Sequence, residues 1–261
     1  MKISVINTGY FKLDGGAMFG VVPKSIWSKT NPPDSNNMCS WAMRSMLVEM
    51  DNQLILIDTG IGNKQSDKFF SYYFLHGEES LEKSINKAGC SLDEVTDVFL
   101  THLHFDHCGG GVKWQDRDKS ILEPVFKNAH YWSNKSHWDW AIHPNPREKA
   151  SFLTENLKPI EESGQLKFVS RKQQITKEVF KGIDVFFADG HTESQMIPII
   201  NYKDQKIVFT ADLLPSTGHI PLPYVMGYDT RPLTTLKEKS EFLSLAQEEN
   251  WILYLEHDPV N

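Results

Sequence analysis

The chain has 261 residues, 40% hydrophobic and 23% charged, so it can build a sizeable core and lacks the composition of a disordered protein. Its formal net charge of −7 argues against a nucleic acid or an anionic membrane surface as the main partner. No apolar run approaches ~18 residues, and the N-terminus lacks the charged and apolar regions of a signal peptide. We therefore expect a cytoplasmic protein with no membrane span.

The first half of the chain predicts mostly strands. The segments with the composition of strands are, in chain order, 2–6, 43–50, 53–58 and 95–102. Asp51-Asn52 joins the second and third of these segments, which predicts a β-hairpin. Residues 64–89 predict a mainly helical region that ends at Gly89, because glycine is favoured just past a helix end.

The second half opens with residues 111–150, the only long stretch whose pattern is irregular. The later segments typical of strands are 166–169, 183–189, 196–202, 206–212 and 251–257. A helix is predicted to start near Thr235, where Thr235 and Glu238 offer a capping box, and its charged run 236–242 predicts a solvated helix face. We interpret residues 1–261 as a single domain in which two sheets pack face to face with helices outside.

Polar side chains cluster where several predicted strands end. They are His102, His104, Asp106, His107, His191, Asp212 and His257. Strand ends hold such side chains rigidly without placing them in the core. In an extended chain alternate residues share a face, so His102 and His104 converge on one metal ion. After a turn into a helix, Asp106 and His107 point towards a second ion, as in two-metal hydrolytic sites with ions roughly 3.5–4 Å apart.

The order of five motifs resembles that of the metallo-β-lactamase superfamily. The motifs are LILIDTGIG, THLHFDHCGG, ADGHTESQ, TADLLP and YLEHDP. The resemblance covers nearly the whole chain, and it implies an α/β fold, the four-layer αβ/βα metallo-β-lactamase sandwich, with a dinuclear metal site at one edge.

The resemblance also implies a distribution of ligands between two divalent metal ions. One ion would take His102, His104 and His191. The other would take Asp106, His107 and His257, and Asp212 would bridge both. Zinc is the first expectation, and manganese or iron also suit mixed nitrogen and oxygen donors. Asp58 in LIDTG matches a family aspartate that orients a ligand histidine by a hydrogen bond.

Three further stretches resemble one branch of the superfamily, the lactonase-like and methyl parathion hydrolase-like enzymes. They are DGGAMFGVVPK, GYDTRPLTTLKEK and YLEHDP. This branch implies a metal-dependent hydrolase of a small ester, a lactone of the N-acyl homoserine lactone type or a phosphoester. A metal-bridging hydroxide would attack the substrate, with Asp106 and Asp212 among the catalytic residues.

The sequence departs from the best-known lactonases at one position. Those enzymes carry a substrate-polarising tyrosine three residues after the bridging aspartate, where this chain has Pro215. His219 and Tyr224 follow shortly afterwards, and we predict that one of them takes over the contact with the substrate.

Two alternatives share the fold. A glyoxalase II-type thioesterase would use much the same ligands, and a diiron redox protein would use a ligand set richer in carboxylates. In each case the partner is a small molecule, and a homodimer is expected only by analogy with relatives.

Overall fold

The computed structural model describes residues 1–116 and 118–261. Within them the strands are β1 (Lys2–Asp14), β2 (Met38–Met50), β3 (Gln53–Ile57), β4 (Asp97–Phe99), β5 (Val112–Trp114), β6 (Leu122–Pro124), β7 (His130–Ser133), β8 (Leu166–Phe168), β9 (Ile175–Phe180), β10 (Ile183–Ala188), β11 (Gln195–Tyr202), β12 (Gln205–Phe209) and β13 (Ile252–Tyr254). The helices are α1 (Gly15–Phe19), α2 (Lys24–Trp27), α3 (Asp67–Ser71), α4 (Leu81–Lys87), α5 (Phe105–Cys108), α6 (Lys135–Ile142), α7 (Thr154–Glu162) and α8 (Pro232–Glu248). Short 3-10 turns cover Leu92–Glu94, Gly109–Gly111, Ala211–Leu213 and Thr217–His219.

The described strands form two large sheets and a small one. The six-stranded sheet has the order β1-β2-β3-β4-β7-β8, and the five-stranded sheet has the order β13-β12-β11-β10-β9. In the six-stranded sheet β3 pairs parallel with β4, β4 with β7, and β7 with β8. In the five-stranded sheet β12 pairs parallel with β13. Because parallel strands send their carboxyl ends to one edge, the residues that follow β4 leave the sheet beside those that follow β3.

The chain divides into two compact units. Unit 1 comprises residues 1–9 and 43–170, and unit 2 comprises residues 10–42 and 171–261. The single-domain assignment of the whole chain stays a prediction.

Each unit has its own apolar core. In unit 1, Leu56 and Val98 of the sheet pack with Ile85 of α4 and Leu157 of α7. In unit 2, Phe186 of β10 packs edge-on against Phe242 of α8, with ring centroids 5.6 Å apart. Aromatic pairs of this geometry contribute about 0.5–1.5 kcal/mol beyond their buried area.

The hairpin expected at Asp51-Asn52 is present, and a second hairpin joins β11 and β12. β2 pairs antiparallel with β3, and β11 pairs antiparallel with β12. Their tight turns contain Asp51 and Lys203 with positive φ values of 47° and 53°, in the left-handed region that such turns require. The strand predictions near 95–102, 166–169, 183–189 and 251–257 are also confirmed as shorter strands.

Four local features differ from what the sequence pattern indicates. The helical region 64–89 is two short helices, α3 and α4, although Gly89 does follow the second with a φ of 89°. Residues 111–150 contain β5, β6, β7 and α6. Residues 175–180, which had no strand assigned, form β9. α8 begins at Pro232, because proline needs no N–H partner in the first turn, so Thr235 lies inside the helix.

Within residues 1–116 and 118–261, no helix has both the length and the apolar character needed to cross a membrane.

Candidate metal centre

The first group of candidate ligands lies in unit 1, directly after β4. His102 and His104 are in the loop, and Asp106 and His107 are in the single turn of α5. All four side chains are buried. The Nε2 atom of His102 lies 3.1 Å from Nδ1 of His104, and Nε2 of His107 lies 3.8 Å from a carboxylate oxygen of Asp106. The loop therefore presents two pairs of donor atoms, as its spacing predicts.

The second group lies in unit 2. His191, Asp212 and His257 follow β10, β12 and β13, and all three are buried. One carboxylate oxygen of Asp212 is 3.1 Å from Nε2 of His191, and the other is 3.1 Å from Nε2 of His257. A carboxylate that offers one oxygen to each of two histidines has the arrangement expected of a bridging ligand.

Three candidate ligand histidines use the Nδ1 atom to donate a hydrogen bond. His107 donates to Asp58 at 3.0 Å, and His257 donates to the carbonyl of Ala42 at 2.7 Å. His191 donates to Asp229 at 2.9 Å. Because carboxylate and carbonyl oxygens only accept, each Nδ1 atom carries a proton. The partner atoms therefore leave Nε2 as the candidate donor to a metal ion in all three rings.

His104 has the opposite orientation. Its Nε2 atom lies 3.5 Å from a carboxylate oxygen of the buried Glu148, and its Nδ1 atom faces His102. Glu148 also accepts hydrogen bonds from Trp140 Nε1 and Asn145 Nδ2. These contacts hold Glu148 beside Nε2 of His104, and they leave Nδ1, which faces His102, as the candidate donor of this ring to a metal ion.

Asp58 has the role that the resemblance implies. Besides His107, its carboxylate accepts hydrogen bonds from the backbone N–H and the hydroxyl of Thr101, at 2.8 and 2.6 Å. Asp58 has a φ of 56°, which is uncommon for a residue other than glycine. A non-glycine residue held in this region at a functional loop costs of order 1–3 kcal/mol. The three hydrogen bonds hold it there.

Residues 59–64, which we call the template loop, hold the ligand loop 101–110 through the backbone. Thr59 N–H donates to the carbonyl of His107 at 2.7 Å, and Gly110 N–H donates to the carbonyl of Gly60 at 2.7 Å. The buried ammonium of Lys64 donates to the carbonyl of Gly109. Burial lowers the pKa of this lysine to about 8. The ligand loop is thus fixed at His107, Gly109 and Gly110.

The glycines of the ligand loop are required by close approach. A Cβ atom on Gly109 would lie 2.3 Å from the carbonyl oxygen of Ile61, and one on Gly110 would lie 2.1 Å from that of Thr59. Real Cβ atoms do not come so close to backbone oxygens, so both positions need glycine.

Two residues of the site were missed from the sequence, Asp229 and Glu148. Asp229 lies in GYDTR, which was noted only as a family stretch, and Glu148 lies in a region judged irregular. Asp229 accepts a hydrogen bond from His191, 38 positions away in the sequence, and Glu148 lies beside His104, 44 positions away. Neither carries a local signal, because the partnership depends on tertiary contact.

The predicted substrate-contacting residues lie in unit 2. The ring of His219 is buried and stacks on Phe19 with centroids 4.4 Å apart. Its Nε2 N–H donates to the carbonyl of Met18 at 2.9 Å, and its Nδ1 accepts from the hydroxyl of Ser216 at 2.7 Å. Burial lowers its pKa to about 4. Tyr224 is half-buried. Both roles stay predictions, and Tyr224 is the more exposed of the two.

The donor set suits a transition-metal ion. Zn²⁺ binds nitrogen at about 2.0–2.1 Å, so two donors of one tetrahedral ion lie about 3.3 Å apart, close to the 3.1 Å found for His102–His104 and for His191–Asp212. Burial lowers the pKa of His191, but Asp212 and Asp229 outweigh it and raise that pKa to about 10. The two carboxylates therefore favour a positive charge at this position, and a bound metal cation would provide one.

The fold and these buried groups define an α/β metal-dependent hydrolase. The family model described as the metallo-beta-lactamase superfamily matches residues 44–257, and the chain belongs to that superfamily. The predicted fold class and enzyme class are confirmed.

Relatives span almost the whole chain. An N-acyl homoserine lactonase of Bacillus thuringiensis is 22% identical over 248 residues, which cover 90% of this chain and 87% of the lactonase. The structure of a probable metal-dependent hydrolase from Staphylococcus aureus matches with a TM-score of 0.89 and 27% identity, over 98% of this chain and 89% of that one. AidC, a dizinc quorum-quenching lactonase in complex with a product, matches with a TM-score of 0.78 and 23% identity, over 99% of this chain and 87% of AidC.

Proposed function

We propose that the protein is a dinuclear metal-dependent hydrolase of a small lactone or ester, with N-acyl homoserine lactones as the first substrate class to test. The observation that carries the proposal is the position of Asp212, whose two oxygens each lie 3.1 Å from a different histidine nitrogen. A carboxylate shared in this way fits two cations, not one. The N-acyl homoserine lactonases that align over 90% of the chain support the substrate class.

In this proposal His102, His104 and His191 would hold one ion, and Asp106, His107 and His257 would hold the other. Asp212 would be shared by both. When bound, the two cations supply Lewis acidity and lower the pKa of a bound water from 15.7 towards about 7. Zinc is proposed first, and manganese and iron are compatible with the donors.

The protein groups then have defined tasks. Asp58 and Asp229 keep the Nδ1 atoms of His107 and His191 protonated, so that Nε2 stays available to a cation. The carboxylate of Asp106 would accept or pass on a proton during the reaction. Tyr224 would contact the substrate through its phenol. A phosphoester substrate would use the same groups.

The test is a substrate panel on protein loaded with zinc, manganese or iron, with metal content measured on the same samples. The panel contains acyl homoserine lactones, aryl esters, phosphotriesters and S-lactoylglutathione. We expect two metal ions per chain and turnover of lactones or esters. Preferred turnover of S-lactoylglutathione would favour the thioesterase alternative, and retained iron with redox activity would favour the diiron alternative.

Asp212→Ala is the decisive variant, and Asp204→Ala, in the exposed β11–β12 turn, is its control. We expect Asp212→Ala to lower kcat by about 100-fold or more, because an interaction with the reacting centre is lost. Asp204→Ala should leave kcat unchanged. Full turnover by Asp212→Ala on every active substrate, or no stoichiometric metal in the loaded wild type, would contradict the proposal.

A further inference from the structure

Two neighbouring charged residues of α8, Glu238 and Lys239, are buried. Their run was expected to form a solvated helix face, yet Glu238 is 6% exposed and Lys239 is 1% exposed. Lys237, next to them, does match the expectation, since its side chain is largely exposed and pairs loosely with Glu241. A buried charge costs free energy unless hydrogen bonds satisfy it, so a position used only for packing would favour an apolar residue.

Glu238 binds the turn that precedes His191. One carboxylate oxygen accepts from the backbone N–H of Asp189 at 2.8 Å, and the other accepts from Gly190 N–H at 3.0 Å. α8 lies directly against this turn, because a Cβ atom on Gly190 would lie 2.3 Å from the backbone nitrogen of Thr235. The carboxylate of Glu238 therefore fixes the two peptide groups immediately before a candidate metal ligand.

Lys239 binds a different loop of unit 2. Its ammonium donates to the carbonyls of Pro221, Leu222 and Tyr224, at 2.8, 3.3 and 2.9 Å. An ammonium has three N–H donors, and these three carbonyls satisfy them. All three acceptors belong to residues 221–224, which we call the substrate loop because Tyr224 is the predicted substrate contact. The lysine thus gathers the carbonyls of one short loop around a single cation.

We propose that adjacent side chains of α8 position two different parts of the catalytic centre: Glu238 sets the turn that presents His191, and Lys239 holds the substrate loop that presents Tyr224. This inference rests on the proposed function for its kinetic consequences. Both are positioning residues, since they act through backbone groups. Their effects are separable, because one turn leads to a metal ligand and the other loop leads to a substrate contact.

Two single variants separate these roles. In Glu238→Gln an amide NH₂ faces one of the two backbone N–H groups. We expect about tenfold weaker zinc binding, measured by competition with a chromogenic chelator, together with a lower kcat and a little-changed KM. In Lys239→Met all three hydrogen bonds are lost while the length of the side chain is kept. We expect KM to rise about tenfold, because only a fraction of the molecules then hold the loop ready for substrate, with kcat and zinc affinity within about twofold.

Hydrogen exchange gives a readout that is independent of any substrate. Glu238→Gln should speed amide exchange at Asp189 and Gly190 and leave residues 221–224 unchanged. Lys239→Met should speed exchange at Tyr224, whose N–H donates to the carbonyl of Pro221, and leave 189–190 unchanged. Lys237→Met and Glu241→Gln, on the exposed face of the same helix, are the matched controls and should change neither segment.

Three results would overturn the inference. One is faster exchange in both segments, 189–190 and 221–224, in either variant. The others are no change in either segment, and an effect of both variants on the same kinetic parameter. If Lys239→Met does not fold, Lys239→Gln, which lacks the charge and the reach, replaces it with the same expectations. Separated exchange effects in a protein that binds no metal and hydrolyses nothing would instead overturn the proposed function while the positioning roles stand.

Discussion

The two loops that present candidate ligands are held by different sets of contacts. The ligand loop 101–110 of unit 1 is bound mainly by the backbone of the template loop 59–64, with glycines where the two segments meet. The turn 189–191 of unit 2 accepts backbone hydrogen bonds from Thr230 and Arg231, and it is also bound by the side chains of Glu238, Asp229 and Arg231, whose guanidinium donates to the Asp189 carbonyl at 2.6 Å. Both segments should be intolerant of an added Cβ atom at their tightly packed glycines, and the turn should in addition respond in graded steps to the loss of single side chains.

The largest effect is expected from breaking the backbone contact in unit 1. In Gly110→Ala the new Cβ atom meets the Thr59 carbonyl at 2.1 Å, so one of the two backbone segments must move. We expect a loss of about 3 kcal/mol or more in the free energy of unfolding, measured by urea denaturation. Gly164→Ala is the control: it has open space but a φ of 75°, so it should cost only about 1–2 kcal/mol. Equal losses in the two variants would show that steric contact is not the cause.

A smaller effect is expected from the carboxylates that orient histidines, one in each unit. Asp58→Asn and Asp229→Asn remove the charge beside His107 and His191. Each should weaken zinc binding by about 10–100-fold, because the orienting partner of a metal-binding histidine is lost. Asp58→Asn should also lower stability, since an amide can no longer accept all three hydrogen bonds from Thr101 and His107.

The control for this pair is Asp184→Asn. Asp184 is a buried aspartate of β10. It accepts hydrogen bonds from the Lys177 ammonium and the backbone N–H of Glu178, neither of which is a candidate ligand. In zinc titrations the affinity of Asp184→Asn for zinc should equal that of the wild type. If Asp184→Asn weakened zinc binding as much as Asp229→Asn, the effect would reflect general destabilisation of unit 2.

The smallest effect contrasts two buried histidines of unit 2. Carboxylates surround His191, whereas His219 has a hydroxyl and a carbonyl as partners, and burial lowers its pKa to about 4. The unfolded chain takes up this proton near pH 6.5, so the unfolded state binds more protons between pH 6.5 and 4. Stability contributed by neutral His219 is therefore lost as pH falls, by about 2 kcal/mol between pH 7 and pH 5.

Urea denaturation of the metal-free protein at pH 7, 6 and 5 measures this effect. His219→Gln keeps a donor for the Met18 carbonyl but does not titrate, so its stability should depend less steeply on pH than that of the wild type by this amount. Parallel pH dependences for the two proteins would mean that His219 is protonated at its ordinary pKa in the folded state.

Local features of the fold and of the site could be predicted from the sequence. The hairpin at Asp51-Asn52 follows from turn residues between two apolar runs, and the donor pairs of residues 102–107 follow from their spacing in one short loop. Predictions failed where tertiary contact outweighed local pattern: 64–89 is broken into two helices, and residues 111–150 contain a small sheet and a helix of their own.

The sequence by itself determined which residues are the candidate ligands and the order in which they follow the strands, because strand alternation and loop spacing act over a few residues. Only the tertiary structure decided which nitrogen of each histidine faces a metal ion and which residues orient it, since Asp229 is 38 positions from His191. It also decided that Glu238 and Lys239 are buried. Their charged run is typical of an exposed helix face, and only the backbone groups of two distant loops give those charges partners.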